Sequence, residues 1–200
     1  IMELSFRCPL LAPASPRKNT VIGIAFGLLY ANAMEWVAHK YVLHNLGKKR
    51  GSLWSFHWAN HHKAVRQNEM RDPEYAQFFW KWEAGGKESA AIGALLLAHV
   101  PLVAVAPWFT AALWYSGANY LYKHRRCHVD VEWGREHMPH HYDHHMGRNQ
   151  DANWCVTQPW FDGVLGTRKP YAFTPDERLP SWIGPTITPS AENDSEDVAA

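Results

Sequence analysis

The side chains best suited to chemistry in this chain are histidines, which number 13 among 200 residues. Three spaced clusters account for seven of them, namely His39/His44, His57/His61/His62 and His124/His128. Residues four apart lie on one face of an α-helix, which predicts paired rings for His57 with His61 and for His124 with His128. Such pairs are typical of metal ligands on helices.

The other spacings predict more than one ion. His61 and His62 diverge by about 100° on a helix, so one ring can face one ion and its neighbour a second. His39 and His44 are five residues apart, or about 140° around a regular helix. Either the helix bends between them or the two rings reach different ions.

The fourth and densest cluster contains His137, His140, His141, His144 and His145. It fits the pattern HxxHH in two registers that share His141. Pro139 suits the first turn of a helix, which leaves the later register on regular helix and favours it. The earlier register, with His137 and His140, stays open as an alternative ligand set or as neighbours of the ligands.

Together the clusters predict a site for two metal ions, since neutral imidazole is the commonest metal ligand and so many clustered rings need a cation. The later register gives ten candidate ligands, which are His39, His44, His57, His61, His62, His124, His128, His141, His144 and His145. About five ligands per ion leave one position open on a six-coordinate metal, as a catalytic site requires. Iron, zinc, copper and nickel all suit imidazole.

Two apolar regions must position these clusters. The first predicts a transmembrane helix over about residues 20–38, preceded by an N-terminal loop over residues 1–19. The second, Ser89 to Tyr122, has no formally charged residue and is interrupted by Pro101 and Pro107, which predicts a hairpin with spans at about 88–103 and 106–123. Core helices of a soluble bundle are the alternative for both regions.

The distribution of basic residues predicts the orientation. Nine lie between the two apolar regions and three directly follow the second, whereas the hairpin tip has none. The positive-inside rule then places residues 38–88 and 123–200 on the cytoplasmic side. A formal net charge of +1 argues against a nucleic-acid partner.

The predicted fold class is therefore all-α. It is an integral-membrane bundle of short transmembrane helices with a cytoplasmic, His-rich helical cap that holds the dimetal site. The domain covers residues 20–175, and residues 176–200 form a polar acidic tail that we expect to be disordered.

In these clusters the sequence resembles the fatty acid hydroxylase/sterol desaturase superfamily of integral-membrane di-iron oxygenases, over about Trp36 to Thr167. The family's boxes HxxxxH, HxxHH or HxxxHH, HxxxH and HxxHH occur here in that order. The segments Asn153-Trp154 and Trp160–Thr167 are similar to the family's ending, an Asn-aromatic pair and then Trp-Asp…Gly-Thr. The second box is more similar to carotenoid hydroxylases, and Phe161 interrupts the closing Trp-Asp.

This resemblance implies O2-dependent hydroxylation of a C–H bond in a fatty acyl, sterol or carotenoid lipid. It implies two iron ions, which zinc can replace in a purified sample, and no catalytic side chain beyond the metal ligands. These 200 residues include no haem domain, so we expect a separate electron donor, either cytochrome b5-like or ferredoxin-like with its reductase. A lipid desaturase with the same metal chemistry and a non-catalytic metal-binding membrane protein are the alternatives.

Hydrogen-bond acceptors beside the rings should fix the ligand tautomers. The carboxylate candidates are Glu35, Asp130, Glu132 and Asp143, and Glu35 is favoured because it precedes His39 by one helical turn. Asn153 is a further candidate for this outer layer.

Overall fold

The computed structural model describes the backbone of residues 16–77 and 81–183, and this part of the chain is helical without any strand. The α-helices are α1 (Pro16–Val37), α2 (Lys63–Gln67), α3 (Pro73–Ala76), α4 (Ala84–Ala98), α5 (Pro107–Val129), α6 (Val131–His137), α7 (Pro139–Met146) and α8 (Trp160–Val164). The π-helical segments Ala38–Leu46 and Phe56–His62 and a short 3-10 turn, Val100–Ala104, complete the described helices. The predicted all-α class is confirmed for these residues.

The first helix begins earlier than the sequence predicts. Its described part begins at Pro16, and proline is compatible with the first turn of a helix, where its missing N–H is not needed. Residues 16–19 of the expected N-terminal loop are therefore helical, and residues 1–15 lie outside the described part of the chain.

The second apolar region folds back on itself where its prolines interrupt it. Helix α4 ends at Ala98, the 3-10 turn contains Pro101, and Pro107 opens α5. Both long helices then run beyond their apolar parts. Helix α1 continues without a break into the first π-helical segment, and α5 continues to Val129, so that each carries two histidines at its polar end.

Glycines allow α1 and α5 to pack closely. A Cβ atom on Gly27 would lie 2.6 Å from the Cβ of Ala112 and 2.8 Å from the carbonyl oxygen of Phe109. A Cβ atom on Gly23, one turn earlier, would likewise lie 3.0 Å from the Cβ of Trp108. Small residues four apart allow helix backbones to approach closely inside a membrane.

Apolar side chains on these helices point outward. Val21, Ile22 and Phe26 on α1 are 67%, 54% and 65% exposed, and Tyr115 on α5 is 63% exposed. Within the described residues one continuous helix, Asn19–Leu46, is both long and apolar enough to cross a membrane. An exposed apolar surface of this kind is typical of contact with lipid.

The end of the described chain packs against the helical cap. Glu177 forms an ion pair with Arg135 at 2.7 Å, and the indole of Trp182 donates to the carbonyl of Glu69. The predicted tail begins at residue 176, so its first eight residues are held by the fold. Residues 184–200 of that tail lie outside the described part of the chain.

We predict that Gly27→Ala destabilises the protein by about 1–3 kcal/mol, because the added methyl group overpacks the contact between α1 and α5. Gly93→Ala on α4 is the matched control, since a Cβ there meets nothing within 4 Å. The Gly93→Ala substitution should instead stabilise α4 by about 0.5–1 kcal/mol. Thermal unfolding of the two variants in detergent measures both changes, and equal melting temperatures would contradict the close packing.

Candidate metal centre

The structure brings ten histidine rings together as two adjacent groups. The first histidine group consists of His39, His44, His57, His62 and His144, whose ring nitrogens lie within 4.8 Å of one another. The second histidine group consists of His61, His124, His128 and His145, joined by His141, whose Nε2 lies 3.1 Å from that of His128. All ten side chains are buried, and they come from segments more than 100 residues apart in the chain.

The π-helical segments explain how residues five apart enter one group. Hydrogen bonds from i to i+5 widen the helical turn, which brings His39 over His44 and His57 over His62. The rings of His57 and His61, which the sequence predicts on one face, do lie 5.3 Å apart, but they enter different groups because the helix is not a regular α-helix. His61 points into the second histidine group.

Consecutive histidines connect the two groups. His61 and His62 diverge as the sequence predicts, one into each group, and His144 and His145 do the same on α7. The rings of His62 and His145 have centroids 4.4 Å apart. The two groups therefore share a boundary, which suits a pair of neighbouring ions.

Backbone carbonyls fix the tautomer of several rings. The Nδ1 of His39 donates to the carbonyl of Trp154, and that of His144 donates to the carbonyl of Ala152, both at 2.6 Å. The Nδ1 of His128 donates to the carbonyl of Met70 at 2.9 Å. Since a carbonyl only accepts, each neutral ring carries its proton on Nδ1 and turns an unprotonated Nε2 inward.

Carboxylates do the same for three more rings. Asp72 accepts from the Nδ1 of His61 at 2.7 Å, and Glu88 accepts from the Nδ1 of His124 at 2.8 Å. Asp151 accepts from the Nδ1 of His44 at 3.3 Å. Partners of this kind orient metal-binding histidines and make them stronger ligands.

Burial keeps seven of the rings neutral. It lowers the pKa well below the usual value for His57, His61, His62, His128, His141, His144 and His145. Repulsion between a protonated ring and its neighbours lowers these pKa values further. Their inward nitrogens are therefore lone-pair donors at neutral pH.

These nitrogens fit divalent metal ions. The Nε2 atoms of His44 and His144 lie 3.2 Å apart, although both rings carry their proton on Nδ1. Metal–nitrogen bonds of about 2.0–2.1 Å place adjacent ligands of a six-coordinate ion about 3 Å apart. In the second group the Nε2 atoms of His61, His124 and His145 are buried without a hydrogen-bond partner in the described residues. Without a cation both arrangements would be unfavourable.

Glu35 does not contact His39, contrary to the sequence-based expectation. Its carboxylate accepts from the backbone N–H groups of Val156 and Thr157 at 3.0 and 2.9 Å, and from the Thr157 hydroxyl. It acts indirectly, because it holds the loop whose Trp154 carbonyl accepts from His39.

The remaining candidates for the outer layer also lie away from the rings. Asp130 caps α6, and Glu132 on the same helix is exposed. Asp143 pairs with Arg168 at 2.6 Å and accepts from the N–H of Ala172. Asp130 and Asp143 therefore hold local backbone instead of fixing ligand tautomers.

Three residues around the fourth box also stay outside both groups. Asn153 adopts a positive φ of 57° and holds the Lys169 backbone through its side chain. His137 is exposed and stacks on Trp133, while His140 is buried and bonds to the Val156 carbonyl.

Sequence reasoning missed Asp72 and Glu88, the buried carboxylates that do contact rings. Glu88 also accepts from the hydroxyls of Tyr75 and Tyr120, both at 2.9 Å. A signal existed for each of them. Asp72 directly precedes a proline and caps α3, and Glu88 is the one acidic residue at the edge of a long uncharged stretch.

The closing motif of the sequence has a structural role beside the first histidine group. Asp162 accepts from the N–H groups of Trp154 and Cys155, both at 2.8 Å, and from the hydroxyl of Thr167. The indole of Trp36 donates to that same hydroxyl. The motif thereby fixes the loop that presents carbonyls to His39 and His144.

An apolar cavity of about 340 Å³ lies between α1, α4 and α5. Tyr30 and His99 line one end, while His39 and Glu88 line the other. Along α4 the distance from Glu88 to His99 is about 16 Å at 1.5 Å per residue. The cavity therefore leads from the apolar part of the helices to the edge of the histidine groups.

A model of the fatty acid hydroxylase family matches residues 24–167. This chain belongs to that family. The match confirms the resemblance carried by the four histidine boxes, and it places the chain among membrane-associated oxidoreductases. Searches of the curated proteins and of the solved structures gave no match.

We predict that the metal-free protein loses stability as the pH falls below about 6.5, the pKa of an unfolded histidine. The buried rings bind protons less readily than the unfolded chain does, so protonation favours unfolding. Each such ring costs about 1.4 kcal/mol per pH unit in that range. Melting temperatures of chelator-treated protein at pH 8 and pH 5.5 measure the effect.

Two histidine variants provide the control for this pH dependence. His145→Gln removes a buried ring and should reduce the slope, whereas His137→Gln removes an exposed ring and should leave it unchanged. Equal melting temperatures at the two pH values in the unmodified sequence would contradict the burial argument.

Proposed function

We propose that this protein is a membrane-bound di-iron hydroxylase that inserts one oxygen atom of O2 into a C–H bond of a lipid. The observation that supports it most is the pair of adjacent groups of buried imidazoles at one end of an apolar cavity. A structural metal site would need about four ligands and no cavity. The family match to fatty acid hydroxylases supports the same chemistry.

Ten histidines would hold the two ions, five at each. The first ion would be held by His39, His44, His57, His62 and His144, and the second by His61, His124, His128, His141 and His145. Bound iron would supply O2 activation, in which two electrons and two protons convert one oxygen atom to water while the other enters the substrate.

The chain's own residues orient the reaction. Asp72 and Glu88 hold the Nδ1 protons of their rings, so each Nε2 stays aimed at its ion. The apolar cavity excludes water and binds the lipid chain, with the carbon to be oxidised held beside His39 and Glu88. Holding one C–H bond in place selects the carbon that reacts.

The outward apolar surface supports a multi-pass arrangement in the bilayer. Helix α1 would cross it, and the α4–α5 hairpin would enter it from the same side, with the histidine groups just beyond the apolar segments. A lipid could then enter the cavity sideways from the bilayer. The basic residues between the apolar regions support a cytoplasmic location for the site.

Product analysis tests this proposal. Expression in a host, followed by lipid profiling, should reveal a lipid with the mass of one added oxygen. A product lighter by two hydrogens would instead show a desaturase, and O2 consumption without either product would contradict both. Metal analysis of the same preparation should give two iron ions per chain.

We predict that His61→Ala and His141→Ala each abolish turnover and loading of one ion while the protein remains in the membrane fraction. Both rings belong to the second histidine group, so the first ion should still bind. His137→Ala is the control, because that exposed ring lies outside both groups. Full activity in the two test variants would disprove the ligand assignment.

We predict that Ala91→Phe reduces turnover of long-chain lipids at least tenfold without changing the metal content. Ala91 lines the cavity between its two ends, so a benzyl group there would block an extended chain. The neighbouring Ala90 is exposed on the same helix, and Ala90→Phe should leave turnover unchanged. Equal turnover by the two variants would mean that the substrate does not use this cavity.

A further inference from the structure

We propose that the surface around Trp58 is the docking site for an acidic one-electron carrier protein, and that the Trp58 indole conducts electrons to the histidine groups. This inference rests on the proposed function, since only a site that reduces O2 needs such a carrier. The carrier is defined by its chemistry, which is a negatively charged face around a haem or iron–sulfur centre.

Trp58 makes direct contact with the first histidine group. Its ring lies 5.1 Å from that of His62 at an interplanar angle of 31°, and 5.1 Å from that of His44 in an edge-on arrangement. This indole is therefore in direct contact with two of the rings that would hold an ion. Electron tunnelling weakens steeply with distance, so a ring in this place offers a short route.

Trp58 also reaches the protein surface, unlike the other aromatic neighbours of the site. Tyr75, Tyr120 and Trp154 contact the histidine rings but are only 4%, 8% and 2% exposed. Trp58 is partly exposed, which makes it the one tryptophan or tyrosine bridge from solvent to the rings in the described part of the chain. A carrier that docked elsewhere would face a longer path.

The surrounding sequence is strongly basic. Between Glu35 and Glu69 the chain has no acidic residue, and it has six Lys or Arg residues. The ammonium of Lys48 lies 4.3 Å above the Trp58 ring and is paired with Asp151 at 2.6 Å, so the net positive charge comes from the exposed side chains of Lys49 and Arg50 that follow it. Lys63, directly after His62, is also exposed. Such a field attracts an acidic partner and speeds its association.

The electron balance fits repeated docking. Hydroxylation of R–H by O2 to R–OH and water consumes two protons and two electrons. Each reduced carrier gives up one electron at the Trp58 surface and leaves oxidised, so two carriers are oxidised per product. Because each carrier must leave after giving one electron, a surface that binds carriers transiently suits this electron transfer better than a permanent interface.

Charge reversal tests the docking surface. We expect Lys49→Glu combined with Arg50→Glu to raise the KM for a soluble acidic cytochrome b5 or ferredoxin at least tenfold, and to weaken its direct binding at low salt. Turnover with a small-molecule reductant should stay unchanged, because that reductant needs no docking. Lys169→Glu combined with Arg178→Glu is the matched control, with the same change of charge on exposed residues elsewhere.

Substitutions of Trp58 test the electron path separately. Trp58→Leu should slow oxidation of the bound carrier at least tenfold in rapid-mixing experiments, while Trp58→Phe should retain most of the rate. Metal content and carrier binding should be the same in both variants, which separates conduction from folding and docking. Equal rates of carrier oxidation in Trp58→Leu and Trp58→Phe would show that the aromatic ring does not conduct the electron.

The outcomes distinguish this inference from the proposed function. Unchanged carrier binding and KM in the Lys49/Arg50 variant, or equal losses in the control variant, would overturn the docking site while hydroxylation with the small reductant continues. If the unmodified protein forms no product with either electron source, the proposed function itself fails.

Discussion

The structure depends on unprotonated imidazole nitrogens held close to one another in a buried space. Rings such as His44 and His144 direct lone pairs at each other across 3.2 Å because their opposite nitrogens donate outward to fixed acceptors. Such an arrangement is unfavourable unless a cation lies among the nitrogens. Metal binding would therefore be coupled to the folding of the helical cap, because a bound cation would offset this repulsion.

The acceptors that fix the rings come from two kinds of structure. Asp72 caps α3 and Glu88 lies within α4, and these buried carboxylates hold rings of the second histidine group. The loop before α8 supplies backbone carbonyls to the first group, and Glu35 and Asp162 both hold that loop through its backbone N–H groups. A residue such as Glu35 can thus matter for ligand geometry without contacting a ligand.

The same helices connect the apolar and polar parts of the molecule. Helix α1 and α5 cross closely at Gly27, and each continues past its apolar part to carry two histidines. The cavity between α1, α4 and α5 ends where those histidines begin. A lipid bound among the helices and a metal bound in the cap would therefore meet at one place, as hydroxylation of an unactivated C–H bond requires.

The helical class, the break of the hairpin at its prolines and the family could all be predicted from the sequence, because they follow from local periodicity, proline geometry and the spacing of histidine boxes. The sequence also predicted the split of His61 from His62, since consecutive residues on any helix diverge. That His57 joins His62 emerges from the folded chain alone, because local spacing does not reveal that the helix widens to i+5 bonding. The tertiary structure likewise chose Asp72 and Glu88 over Asp130 and Asp143 as partners of the rings, since that choice depends on which carboxylates long-range packing buries beside them.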